Sequence, residues 1–493
     1  MKKITVFFLL VLMSFPMLTS CSDTERPDVT TPAVVTFFDP MADEDDRPLL
    51  PENPRYEGYE FRVLVSGNYR NNDFAASETD TGILEEARYR KNQSVEDTLG
   101  ISLINRDILQ PGTTNGSGPG YAEMKKAYAS SAFDYDAGMI GSEDACALAA
   151  GGYLTDLKNL PYLDLENFWW DACANRDLCV NNALYATTGA IGLTDNIVTH
   201  CILVNKTLLQ SREDLFDPYS LVQENKWTYT VFGSEVKKIR EDLNRDGVMD
   251  GKDCYGLLTW KDAAVAVLNS SSCRLCEVGE DGRIALTLNS ERTILALEQY
   301  TDFAFSESCF RYQERSDPSA WDSIRFSVFD EARACYYMTT MNTVPKHREA
   351  DTDFGILPYP KLTEDQETYG NPVSSYYGQL YCVPHFTENR ERTGVISELL
   401  AYVSEKLLTP AYYSQVLCGS ESGKEESTDM LDLIFSSRVF DIGVYFRIEN
   451  LEPKLAEMVF SRRIGDFPDF YRQVAPSAEQ AVDLLNRRLS EIS

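Results

Sequence analysis

Histidine is the scarcest chemistry-bearing residue here: 493 residues contain three, His200, His347 and His385. None is paired with another at metal-ligand spacing, which argues against a zinc centre and against a histidine-based triad. Basic side chains are also in short supply, 46 Lys and Arg against 77 Asp and Glu, a formal charge of −31 at neutral pH. Binding nucleic acid requires a basic patch that displaces counterions from phosphate, so this composition excludes it as a general activity. The same shortage argues against electrostatic docking on anionic lipid. No GxSxG elbow, HExxH helix or GxxxxGK[ST] loop occurs. Beyond the first 20 residues, no run reaches the roughly 18 apolar residues of a spanning helix. Internal repeats are absent. What the chain does have is core material: 43% hydrophobic residues, with 27 Tyr, 24 Phe and 5 Trp. Its length predicts about three domains, or two large lobes of α/β type.

The N-terminus sets the expected location. Met1-Lys2-Lys3 is a positive segment, and Ile4 to Met17 is an apolar run. This pattern is that of a secretory signal, too short to span a bilayer. Leu18-Thr19-Ser20-Cys21 resembles a bacterial lipobox, with residues 1–20 removed and Cys21 lipidated. Acyl chains contribute about 0.8 kcal/mol per buried CH₂, so the expected location is extracytoplasmic, lipid-anchored to the cell membrane. Residues 21–57 carry Asp43-Glu44-Asp45-Asp46 and two prolines around Glu52-Asn53, and are expected to be a flexible, self-repelling acidic tether.

Eleven cysteines remain besides Cys21, an odd number that cannot all pair in a monomer. Cys173 with Cys179, and Cys273 with Cys276, are close enough in sequence to bridge. Buried unpaired cysteines acting as small apolar residues are the equal alternative.

Order is expected from Tyr59, where Tyr59–Ser66 alternates into a β-branched run. A helix is expected from Gly82 to Leu99, then strands at 100–104 and 135–140, then a helix from Glu143 to Ala150. Strand alternating with helix is the mark of a parallel sheet with crossovers, hence the α/β class. Glu391–Leu408 and Ser477–Ile492 show the period of amphipathic helices.

Several stretches carry a family resemblance. Thr81 to Glu96, Gly152 to Asp164 with Trp169-Trp170, Leu184 to Ile191, and Leu203-Val-Asn-Lys-Thr-Leu-Leu209 belong to it. So do Met430 to Phe435, Phe440 to Gly443, and Asp353 to Lys361, the last similar to the strand and turn after a second hinge crossing. In order and spacing these resemble the extracellular solute-binding proteins (family 1, related to maltose-binding protein) of bacterial ABC sugar importers, in their Clostridia-type lipoprotein form. The resemblance implies a two-lobed periplasmic-binding-protein type II fold with a hinge and an interlobe cleft. It places lobe 1 at 58–194 and 320–384, and lobe 2 at 195–319 and 385–493. It implies a monomer without enzymatic activity that captures a carbohydrate and hands it to ABC transporter permease subunits. A secreted glycan-active enzyme and a surface adhesin remain the alternatives, since 77 acidic residues neither reveal nor exclude a catalytic carboxylate pair.

One motif stands apart from the resemblance. Asp242, Asn244, Asp246, Asp250 and Asp253 occupy positions 1, 3, 5, 9 and 12 of a loop. Gly247 sits at position 6, and Val248 at position 7 would offer its carbonyl. This spacing wraps a chain around a calcium ion, which takes six to eight oxygens. A structural Ca²⁺ is therefore expected, with a solvated acidic turn as the bland alternative.

For the ligand, sugars call for aromatic faces against the apolar ring side, and for carboxylates and amides on the hydroxyls. Loops at strand ends should present them. Ser142 and Glu143 follow the third strand, and Asp195 and Asn196 mark the expected crossing into lobe 2. Trp260, after Tyr255-Gly-Leu-Leu-Thr259, is the preferred stacking platform by resemblance. Thr340 and Tyr376 are expected near the second crossing.

Overall fold

The strand Tyr59–Val65 shows how the sequence pattern becomes a layer. Phe61, Val63 and Val65 face one apolar cluster, together with Val395, Ile396, Leu399, Leu400 and Val403 of the helix Arg390–Leu417. Leu64 points to the other face, into a cluster with Met124, Ile140, Ala145 and Leu148. A sheet of parallel strands buries both faces, so both strand faces are apolar. The computed structural model describes residues 38–41, 47–112, 115–130, 134–417 and 424–492, and Phe38–Ser493 packs as one compact unit. The signal segment, Cys21 and Asp43–Asp46 lie outside the described residues.

Two sheets organise the chain. The first has the order Ile101–Asp107, Tyr59–Val65, Ala137–Gly141, Gln379–Cys382, Ala186–Thr187. Its first three strands are parallel and the last two pairings antiparallel. The second runs Cys309–Arg311, Cys254–Thr259, Ala334–Thr340, His200–Asn205, Phe354–Leu357, with Arg240–Glu241 paired to Cys254–Thr259. Each sheet is the centre of a lobe, and together they form the two-lobed periplasmic-binding-protein type II fold.

The early elements fall close to their expected bounds, with helices at Ile83–Leu99 and Ser142–Ala150. The late helices are longer than their periodicity suggests, Arg390–Leu417 and Phe467–Ile492. The expected lobe boundaries are corrected in two places. Ala334–Thr340 and Phe354–Leu357 are strands of the second sheet, so residues 320–357 do not belong to lobe 1. The stretch Asp353–Lys361 thus precedes the return to lobe 1. Conversely, Arg390–Leu417 packs along Ile83–Leu99 and belongs with the first lobe. The cause is physical: an apolar alternation defines a strand, but the sheet it joins depends on which edge is open to pair.

Three crossings meet to form the hinge. Thr199 bridges Val373, and Asn371–Pro372 pairs in parallel with Arg438–Val439. Beside them Arg438 donates to Asp171 at 2.6 Å and Asp195 at 3.2 Å, all three buried. Burial pushes the Asp195 carboxyl up to about 6, against the pull of Arg438.

No disulfide joins the ten described cysteines; nine are buried and Cys179 is half-buried. Burial raises the thiol of Cys146 and of Cys201, as befits inert apolar filling.

Candidate functional site

A cavity of about 320 Å³ brings polar and aromatic groups together. The second lobe builds most of its wall. The strand Cys254–Thr259 ends by delivering Trp260, and the helix Ala263–Ser270 that follows contributes Val265, Ala266 and Asn269. Tyr312, Trp321 and Arg325 come from the chain after the strand Cys309–Arg311. The opposite wall is the returning crossing, Pro372 to Tyr377, and Glu452 enters from the helix Leu451–Phe460.

The first lobe holds that crossing in place. Asn68 donates to the Tyr376 carbonyl at 2.7 Å, and Ser142 N–H donates to the Gly378 carbonyl at 3.0 Å. Ser375 donates to Glu143 at 3.2 Å, while Arg447 pairs with the other Glu143 oxygen at 2.6 Å. Tyr376 and Tyr377 stand edge to face with ring centres 4.8 Å apart, and Tyr376 is 41% exposed. Any change in lobe spacing therefore moves two aromatic rings of the cavity wall.

Five aromatic rings face the cavity: Trp260, Tyr312, Trp321, Tyr376 and Tyr377. His200, 6% exposed, lies against Trp260 with ring centres 5.8 Å apart. Burial lowers its pKa to about 3, so it is a neutral imidazole at physiological pH. Among the described residues its Nδ1 and the Trp260 Nε1 have no hydrogen-bond partner. The ionisable lining comprises Asp262, Asp322, Glu452 and Arg325. Arg325 pairs with Asp322 at 2.7 Å. Desolvation raises the Asp262 carboxyl, with Lys261 pulling the other way. Desolvation also pushes Glu452 up to about 8, assisted by repulsion from Asp262, Glu143 and Asp441 and opposed by Arg447. Such an arrangement suits a polar, ring-bearing ligand: flat apolar faces to cover it, acceptors and donors around its edge.

Of the residues expected from sequence, Trp260 and Tyr376 line the cavity together. Ser142 and Glu143 instead brace the crossing behind it. Asp195 and Asn196 sit in the hinge beside Arg438, on a separate recess of about 190 Å³. Thr340 is buried at a strand end and donates to Asn342 at 2.8 Å. Sequence reasoning missed Glu452, Trp321, Tyr312 and Asn269. Trp321 had a signal in its rarity, one of 5 tryptophans. Glu452 had none, one acid among 77.

The acidic loop adopts a tight turn. Gly247 takes φ +80° with open space around it, so backbone conformation and not crowding calls for glycine there. Asp242 accepts the N–H of Arg245 at 2.7 Å and of Gly247 at 2.8 Å. Asn244, Asp246 and Asp250 each accept an N–H two residues on, at 2.9, 2.8 and 2.8 Å. Buried Asp253 accepts from Leu243 at 3.0 Å and from Asp250 at 2.8 Å. The Val248 side chain is exposed. Among the described residues no group of three or more His, Cys, Asp or Glu converges as a metal site. In this arrangement the side-chain oxygens accept the loop's own N–H groups.

No family model matches the chain, and no curated protein does. Solved structures do. A cyclo/maltodextrin-binding protein complexed with maltotetraose aligns with a TM-score of 0.54 at 12% identity, covering 89% of this chain and 98% of that one. The maltose-binding periplasmic protein of Listeria monocytogenes, in complex with maltose, aligns at 0.52 and 13% identity, over 88% and 98%. An extracellular solute-binding protein of family 1 from Alicyclobacillus acidocaldarius aligns at 0.51 and 10% identity, over 87% and 99%. At such identities the likeness is one of fold, and it runs through both lobes. Among the described residues no helix is long and apolar enough to cross a membrane.

Proposed function

We propose that this protein is a solute receptor that captures a sugar or oligosaccharide between its lobes and delivers it to the permease of an ABC transporter. The observation that carries this reading is the cavity itself, with five aromatic rings and a set of carboxylate, amide and guanidinium groups between the second lobe and a crossing braced by the first. A ligand touching both walls favours the closed arrangement by its differential affinity, which is the signal a permease can recognise. The fold shared with maltose- and maltodextrin-binding proteins supports the same reading.

The experiment is a carbohydrate panel screened by thermal shift, followed by calorimetry on any hit. A ligand at a hundred times its Kd stabilises by about 2.7 kcal/mol. Binding without turnover supports the receptor; release of hydrolysis products from any glycan would overturn it in favour of an enzyme. Attachment through Cys21 belongs to the same proposal, supported by the sequence Leu18-Thr19-Ser20-Cys21. Labelling with a radioactive fatty acid, lost in Cys21→Ala, tests it. Calcium at Asp242–Asp253 belongs to the proposal too, supported by the loop spacing.

A further inference from the structure

The cavity carries more negative charge than its cations balance. Three acids line it, Asp262, Asp322 and Glu452, against one base, Arg325. Every nearby cation is engaged by another acid: Arg325 by Asp322 at 2.7 Å, Lys261 by Glu457 at 2.6 Å, Arg447 by Glu143 at 2.6 Å. Lys454, on the same helix as Glu452, lies 3.9 Å from Glu449. The side-chain carboxyls of Asp262 and Glu452 are left with no hydrogen bond or ion pair among the described residues. A second observation points the same way: the buried His200 lines this cavity, and among the described residues its Nδ1 has no partner, an acceptor when the proton sits on Nε2. Carboxylate and imidazole acceptors thus gather here beside one unpaired donor, the Trp260 indole N–H. Around them stand five aromatic rings, whose faces attract cations.

Resting on the carbohydrate reading above, we propose that the cavity selects an aminated sugar or amino-oligosaccharide, its ammonium seated between Asp262 and Glu452 against the aromatic wall. A neutral sugar would expel water and leave the Asp262 carboxylate without a counter-charge beside a protonated Glu452, which is costly. An ammonium gives each a charge-assisted hydrogen bond. The groups facing Glu452 are the acids Asp262, Glu143 and Asp441 and the base Arg447, and together with burial they favour its protonated form. Seating a cation reverses that preference, so at neutral pH the Glu452 proton passes to the buffer as the ligand binds.

Calorimetry on the intact protein tests this with four probes: glucosamine and its β-1,4 dimer, their N-acetylated forms, glucose with maltose, and the diamine putrescine. Aminated sugars should bind at least about tenfold more tightly than the acetylated or neutral ones, a factor equal to 1.4 kcal/mol. Their apparent enthalpy should vary with buffer ionisation, reporting proton release. Glu452→Gln and Asp262→Asn should each weaken aminated binding about tenfold and so remove the preference for aminated over neutral sugars. If Glu452→Gln melts early, the more exposed Asp262→Asn carries the test. Neutral sugars binding as tightly as aminated ones would overturn the charge selection and leave the carbohydrate receptor standing. Putrescine binding with no sugar bound would overturn the amino-sugar assignment and the carbohydrate reading while keeping the cation site. No binding by any probe would overturn the proposal together with the carbohydrate reading.

Discussion

In the first lobe, the buried carboxylate of Glu398 accepts the indole N–H of Trp169 at 3.1 Å and of Trp170 at 2.9 Å, and the Asn167 amide at 2.7 Å. In the cavity, Trp260 shares the lining with Glu452 and Asp262, yet among the described residues its N–H has no acceptor and neither carboxyl has a donor. Residue types are the same and burial shifts both glutamates upward, Glu398 to about 7 and Glu452 to about 8. What differs is completion. The first cluster is closed upon itself, and its two tryptophans are 3% and 2% exposed. A buried polar group without a partner costs free energy, so an incomplete cluster persists where something from outside completes it. The contrast separates structural aromatic–acid clusters from binding ones.

The largest effect should come from breaking the closed cluster. Glu398→Leu strands two indole N–H groups and an amide, and should cost about 3–5 kcal/mol of stability in chemical denaturation, with ligand affinity per folded molecule unchanged. Trp260→Ala should do the reverse: a stability loss of about 1 kcal/mol, and at least about tenfold weaker ligand binding by calorimetry. If Trp260→Ala unfolds the protein and Glu398→Leu does not, the assignment of the two regions is inverted.

The pH dependence sharpens the same comparison. Each carboxyl holds its proton more tightly folded than unfolded, so the folded state binds more protons between the two pKa values. Stability therefore falls as pH rises, from the ordinary 4.5 to about 7 for Glu398 and to about 8 for Glu452. Glu452→Gln should flatten the upper part of a melting-temperature profile, and Glu398→Gln the part below pH 7. Bound ammonium ligand should restore stability above pH 7 in the wild type only; a profile unchanged by Glu452→Gln would place that group in ordinary solvent.

The smallest effect concerns the loop Asp242–Asp253, where carboxylates are completed by backbone N–H groups near the surface. Millimolar calcium against chelator should raise the melting temperature by about 2 °C if a cation replaces those contacts. Identical melts would mark the loop as closed in the manner of Glu398.

The sequence exposed the first three strands and two helices because their apolar period is local, each residue's face being set by the next few. Trp260 and Tyr376 were legible because aromatic residues at strand and crossing ends have few other uses. Glu143 and Asp195 were legible as polar groups at strand ends, but not as a brace and a hinge partner, since Arg447 and Arg438 arrive from more than two hundred residues away. Trp169 and Trp170, read alongside the family resemblance, did not announce Glu398.

By itself, then, the chain determined its fold class, its acidic balance and its stock of aromatic residues. All of these are properties of composition or short-range period. Only the tertiary structure decided which strands share a sheet, that Arg390–Leu417 covers the first lobe, and that Asp262 and Glu452 face one cavity without a counter-cation. Those depend on long-range pairing and on the donors left over after packing, quantities that no local stretch of sequence contains.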